Sequence, residues 1–199
     1  SELDPGAVEC GPGRNPSPRA LAGLGVIPRV VSGARPIRLA PIPMAEARRR
    51  IDTYWRPYHA ALRALIDESL AQFGWAIVID MHSMPHDAIS HLVPPLPDVV
   101  IGDRHGVSCG QPLREMVCTL MRQAGFRLRL NAPFSGAYVA NAYGRPAQNV
   151  HVLQIEIDRD LYLDPARMQP SGGYDALAER LGHVLSRVAR LRPDAGRSK

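Results

Sequence analysis

Hydrophobic and polar positions along this chain follow two periods, and each change of period marks a new element. From Ala45 to Phe73 the residues Ile51, Tyr54, Tyr58, Leu62, Leu65, Ile66 and Phe73 recur at three- and four-residue steps, the spacing of one helix face. Pro57 is expected to end or kink the first segment near Arg56, because proline lacks the N–H a helix interior uses. Gly74 suits the left-handed residue that closes the second. The pattern then shortens. Ala76 to Met81, Val99 to Ile101, Phe126 to Leu130 and Val150 to Ile157 are apolar runs that predict strands. Leu113 to Gln123 predicts a helix, and so does Tyr174 to Leu191, which carries Leu177, Leu181, Val184, Leu185 and Val188 on one face. Strands alternating with helices predict an α/β sheet with helices on its faces.

Residues 1 to 43 break this regularity. Pro5, Pro12, Pro16, Pro18, Pro28, Pro36, Pro41 and Pro43 interrupt any helix there. Gly25 to Val31 is a short strand candidate, and Ser32 to Arg35 a turn. A chain that opens without a strand or helix reads as the middle of a domain.

Composition narrows the class. A chain of 199 residues with 45% hydrophobic and 22% charged residues suits one globular domain, residues 1–199. The net charge of +5 gathers at Arg48–Arg50 and between Arg187 and Lys199. With aromatics at 6% and no recognition motif, these read as a solvated helix face and a basic terminus, not a nucleic-acid surface. Anionic small molecules remain compatible with the charge. Cys10, Cys109 and Cys118 show no C-x-x-C spacing, which argues against a disulfide framework or zinc finger. With no signal peptide and no apolar run long enough to cross a bilayer, the expected setting is a reducing cytoplasm away from membranes.

The chemistry concentrates in three places. The strand Ala76-Ile-Val-Ile-Asp-Met-His82-Ser-Met-Pro85 carries a histidine flanked by Asp80 and Ser83. At the carboxyl end of a strand, where open α/β sheets bind ligands, His82 could ligate a metal, act as a base, or simply cap the strand end. His86 and His91 read as solvated loop histidines. In Val152-Leu-Gln-Ile-Glu-Ile-Asp-Arg159, alternation puts Gln154, Glu156 and Asp158 on one face. A carboxylate there is costly unless paired or used; an edge strand with one wet face is the plain alternative. The loops Gly102-Asp-Arg104-His105-Gly106, Asn131-Ala-Pro-Phe-Ser-Gly136 and Tyr143-Gly-Arg145-Pro146 supply arginines suited to carboxylates and glycines that admit close backbone approach. Together these residues suit zinc-assisted hydrolysis of an amide.

The ordered series resembles the N-formylglutamate amidohydrolase family, distantly related to zinc carboxypeptidases and aspartoacylases. It comprises Gly23–Val30, Arg56–Leu62, Ile79–Pro85, Pro97–Cys109, Asn131–Gly136, Tyr143–Pro146 and His151–Tyr162. The fold this implies is three-layered, phosphorylase/hydrolase-like, with a mixed parallel and antiparallel sheet between helices on both faces. The implied reaction is zinc-dependent hydrolysis of N-formyl-L-glutamate to formate and glutamate, in histidine degradation. By the resemblance His82 is a zinc ligand and Glu156 the general base. Arg104, Arg29 and Arg145 are the expected carboxylate contacts, with Asn131 and Gly136 shaping the pocket. The family's early His-Ser-Gly segment and nearby acidic residue, source of the other two zinc ligands, have no counterpart here. The zinc site is therefore expected to be incomplete in this N-terminally shortened chain. Two other readings stay open: a non-catalytic anion-binding remnant, and an amidase for a different N-acyl amino acid.

Overall fold

Pro57 shapes the first helical stretch, though not by ending it. In the computed structural model, which describes residues 21, 23, 25–31, 34–40 and 42–192, helix α1 (Met44–Arg50) runs on through a π-helical turn (Ile51–Trp55) into helix α2 (Arg56–Phe73). The expected break becomes a widening. At the turn the Arg56 N–H reaches back to the Ile51 carbonyl, a wider pitch that accommodates the missing proline N–H one residue on. Gly74 follows with φ 79° and donates to the Leu70 carbonyl at 2.9 Å, closing α2 as expected.

The strand expected over Gly25–Val31 does not form. Only one bridge, Val30 to Pro36, is present among the described residues of that region. Val31 N–H donates to the Arg35 carbonyl at 2.9 Å across the expected turn, whose Ser32 and Gly33 lie outside the described residues. Cα packing separates two compact units, residues 1–65 and 66–199, with the division inside α2. In the first, Ala47, Ile51 and His59 are the buried positions on the helical stretch.

The second unit is built on a sheet. Strand β1 (Ala76–Met84) is followed by β2 (Val99–Gly102), helix α3 (Gln111–Gln123), β3 (Leu128–Leu130) and the short helix α4 (Tyr138–Tyr143). Then come β4 (Val150–Asp158), the ribbon β5 (Leu163–Asp164) and β6 (Gln169–Pro170), and helix α5 (Tyr174–Val188). The sheet order is β1-β4-β2-β3. β1 runs parallel to β4, β2 antiparallel to β4, and β3 parallel to β2, so the sheet is mixed as expected.

Alternation divides this sheet cleanly. Leu153, Ile155 and Ile157 of β4, with Val99 and Ile101 of β2, pack on Leu113, Val117 and Met121 of α3 and on Leu177, Val184 and Val188 of α5. Burying each such side chain contributes about 1.5–3 kcal/mol. The opposite face carries Met84 and Val100 packed with Ile89, Leu92, Leu96 and Phe134 from the loops. α4 begins against that same face, where Ala137 N–H meets the Gln154 side chain. All nine residues of β4 are buried, and β4 sits between β1 and β2. The edge-strand explanation for Glu156 is thereby removed. It is β1 that lies at the edge of the described sheet and is only partly covered.

Candidate functional site

β1 continues three residues beyond its expected end at Met81, and this extension makes the site. Because His82 and Ser83 stay in the ladder, the register pairs Asp80 with Gln154, His82 with Glu156 and Met84 with Asp158. Two parallel strands thus deliver their polar residues to one face near their carboxyl ends, the position where α/β sheets bind ligands.

His82 Nε2 lies 3.1 Å from Asp80 Oδ2, and its Nδ1 lies 3.9 Å from Glu156 Oε1. The first is an ion-pair distance without hydrogen-bond alignment. Asp80 Oδ2 is buried and accepts no hydrogen bond among the described residues. The Asp80 carboxylate, and behind it Glu156, hold His82 above the ordinary histidine range against the opposing effect of burial. Glu156 is 8% exposed. Burial pushes its carboxyl up, and the opposing pull of His82 and Arg159 does not cancel the rise.

Gln154, 2% exposed, links Glu156 to the loops. Its Nε2 donates to Glu156 Oε1 at 3.0 Å, and its Oε1 accepts from Ala137 N–H at 2.6 Å. Gly136, at φ 119°, lets the chain turn there. A Cβ on Gly136 would stand 3.1 Å from both Ala140 Cβ and Arg104 Cγ. Arg104 N–H in turn donates to the Ser135 carbonyl at 2.6 Å, and its guanidinium bonds the Asn141 side chain. Asn131 is an internal brace: its Oδ1 accepts from Asp103 N–H at 3.0 Å and His105 N–H at 3.3 Å, while its Nδ2 donates to Asp103 Oδ1 at 2.7 Å. Asp103 is fully buried, and its other oxygen meets Arg114 Nη1 at 3.0 Å. Burial raises its carboxyl, yet Asn131 and Arg114 prevail and hold it below the usual carboxylate range.

The structure therefore gathers His82, Glu156, Arg104, Gly136 and Asn131 into one connected set. Arg145 does not join it. Its backbone bridges Val150 through bonds of 2.8 and 3.1 Å, at the start of β4 and roughly 20 Å along the strand from Glu156. Its guanidinium donates to the Gly144 carbonyl at 3.0 Å. Arg29 belongs to the other unit, where its backbone meets Gly23 and Ile37.

His86 is not the solvated loop residue expected. Its Nδ1 lies 2.7 Å from Asp158 Oδ2 and 3.7 Å from Asp160 Oδ2, and Asp158 first of all holds it above the ordinary histidine range. Sequence reasoning also passed over His151, which is buried and accepts from Gly110 N–H through Nδ1 at 3.0 Å. Only the apolar neighbours of His151 in sequence hinted at its burial.

A metal can be tested against these donors. Among the described residues, the histidine and carboxylate atoms that converge in a group of three, all within 4.8 Å, are those of His86, Asp158 and Asp160. His82 is not in such a group. An imidazole beside an orphaned, buried carboxylate oxygen is nonetheless donor chemistry that zinc accepts. His82 and Asp80 supply two donors where zinc sites usually take three or four protein ligands. They fit part of a zinc shell, not a whole one.

The family model described as N-formylglutamate amidohydrolase matches residues 8–163. A relative from Pseudomonas putida named N-formylglutamate deformylase is 36% identical over 125 residues, 61% of this chain and 46% of its own. One of the same name from Pseudomonas aeruginosa is 34% identical over 151 residues, 73% of this chain and 56% of its own. The chain thus spans about half the length of the curated relatives it matches. The crystal structure of N-formylglutamate amidohydrolase from Ralstonia eutropha JMP134 superposes with a TM-score of 0.82 at 33% identity. That likeness covers 94% of this chain and 70% of the crystallised one. With the family model covering most of its length, this chain belongs to the N-formylglutamate amidohydrolase family.

Proposed function

We propose that this site belongs to a metal-dependent amide hydrolase acting on N-formyl-L-glutamate, releasing formate and L-glutamate. The observation that carries the reading is the β1–β4 register. It sets a nearly buried Glu156 beside His82 at the ligand-binding end of two parallel strands. The names of the relatives supply the substrate.

His82 and Asp80 are the residues of this chain that would hold zinc. A bound zinc would polarise the formyl carbonyl and lower the pKa of a coordinated water. Glu156, its carboxyl raised by burial, takes the proton from the attacking water and returns it to the departing amine nitrogen. Arg104, held to the loop at Ser135, is the cation of the connected set that meets a substrate carboxylate. Asn131 and Gly136 act on it indirectly, by fixing the loops.

The test is Glu156→Gln. The variant keeps the shape of the side chain and its place beside His82 but cannot accept a proton. Turnover of N-formyl-L-glutamate should fall by about 10²- to 10⁴-fold, while zinc bound per chain stays that of the wild type. Undiminished turnover would remove Glu156 from the role. Loss of zinc together with turnover would make it a ligand instead.

A further inference from the structure

We propose that Gln154 is a positioning residue for Glu156, fixing the orientation of its carboxylate beside His82 and tying it to the loop that holds Arg104. The inference deepens the hydrolytic reading above and rests on it.

Ala137 N–H can only donate, so at 2.6 Å it requires the oxygen of the Gln154 amide. The amide nitrogen is then forced toward Glu156, where it can only donate, and it reaches Oε1 at 3.0 Å. No hydrogen bond reaches Oε2 among the described residues, so Oε1, the oxygen that also faces His82 Nδ1 at 3.9 Å, is the anchored one. Gln154 is 2% exposed, so water does not compete for either bond.

The loop on the far side is equally constrained. Gly102 leaves no room for a side chain: a Cβ there would come within 2.6 Å of Gly136 N and Ser135 C. The same Ser135 accepts from Arg104 N–H at 2.6 Å. A chain of short contacts therefore runs from Arg104 through Ser135, Gly136 and Ala137 to the Gln154 amide and the base. It sets the distance between the group that binds substrate and the group that moves the proton. A misplacement of about 1 Å in such a relation costs on the order of 10²-fold in rate.

Gln154→Met keeps the length of the side chain and removes both bonds. With the full chain supplied with zinc, kcat for N-formyl-L-glutamate should fall by about 10²-fold, more than KM rises. In a Glu156→Asp background, where the carboxylate is already withdrawn from the amide, the same substitution should cost far less, because the two residues act as one unit. Should Gln154→Met fail to fold, Gln154→Leu removes the same two bonds with an apolar side chain of similar volume; it carries the same prediction. A wild-type kcat in a folded variant, or losses that add fully in the double variant, would overturn the role while leaving the hydrolytic reading intact. A wild-type chain that holds zinc yet does not turn over the substrate would overturn both.

Discussion

His151 and His82 stand on neighbouring strands with opposite protonation preferences, and the difference is measurable. His151 is buried, which holds it below the ordinary value of 6.5, and its Nδ1 must stay unprotonated to accept from Gly110. Its neutral state favours the fold fully above pH 6.5, and that contribution is lost as pH falls below 6.5 through the folded value. His82 and His86 are held above 6.5 by Asp80 and Asp158. Their contribution is fully present below 6.5 and is lost as pH rises through their folded values. Thermal melts across this range should show stability falling on the acid side, and His151→Gln should flatten that limb alone. An unchanged acid limb would mean that His151 does not titrate with unfolding. At this scale Gln154, Glu156 and Asp158 were legible, because alternation alone puts them on one face. His86 was not: its partner Asp158 is 72 residues away, and only the strand pairing brings them together.

The elements show where local pattern suffices and where packing decides. Helices α3 and α5 and all four sheet strands occur where apolar periodicity predicted them, with one end of each kept and the other moved by one to three residues. The largest functional consequence came from β1. Its polar tail Asp-Met-His-Ser reads as a strand end, yet pairing with β4 continues to Met84 and draws His82 into register with Glu156. The π-helical turn before Pro57 was hidden for a similar reason: proline marks a fault in the helix but not how the chain absorbs it. Two substitutions probe the elements. Gly102→Ala forces a methyl onto the Ser135–Gly136 backbone and should destabilise the fold by about 1–3 kcal/mol in denaturant melts. It should also raise KM more than it lowers kcat, because the loop moves Arg104. Asp103→Ala leaves Arg114, whose side chain is 19% exposed, without its carboxylate, and should cost about 3 kcal/mol or more. A loss below about 0.5 kcal/mol, the usual range for surface substitutions, would show that the buried network does not hold the loop.

For the whole molecule, the sequence carried the α/β class, the mixed sheet and the family, because those depend on periodicity and on an ordered series of motifs. It could not carry the positions of the arginines. Arg104 joins the site because β2 and β4 pair antiparallel and bring the loops after Gly102 and Asn131 to the Gln154 face. Arg145 sits elsewhere because its loop closes on Val150. Among the described residues, no helix is long and apolar enough to cross a membrane. The site as assembled offers a nearly buried carboxylate, an amide bonded to it, one imidazole and one orphaned carboxylate oxygen. The most direct measurement is formate release from N-formyl-L-glutamate by the purified chain, with bound zinc determined on the same sample. The account predicts formate release in proportion to bound zinc and none from Glu156→Gln. A chain that binds zinc stoichiometrically and releases no formate would contradict it.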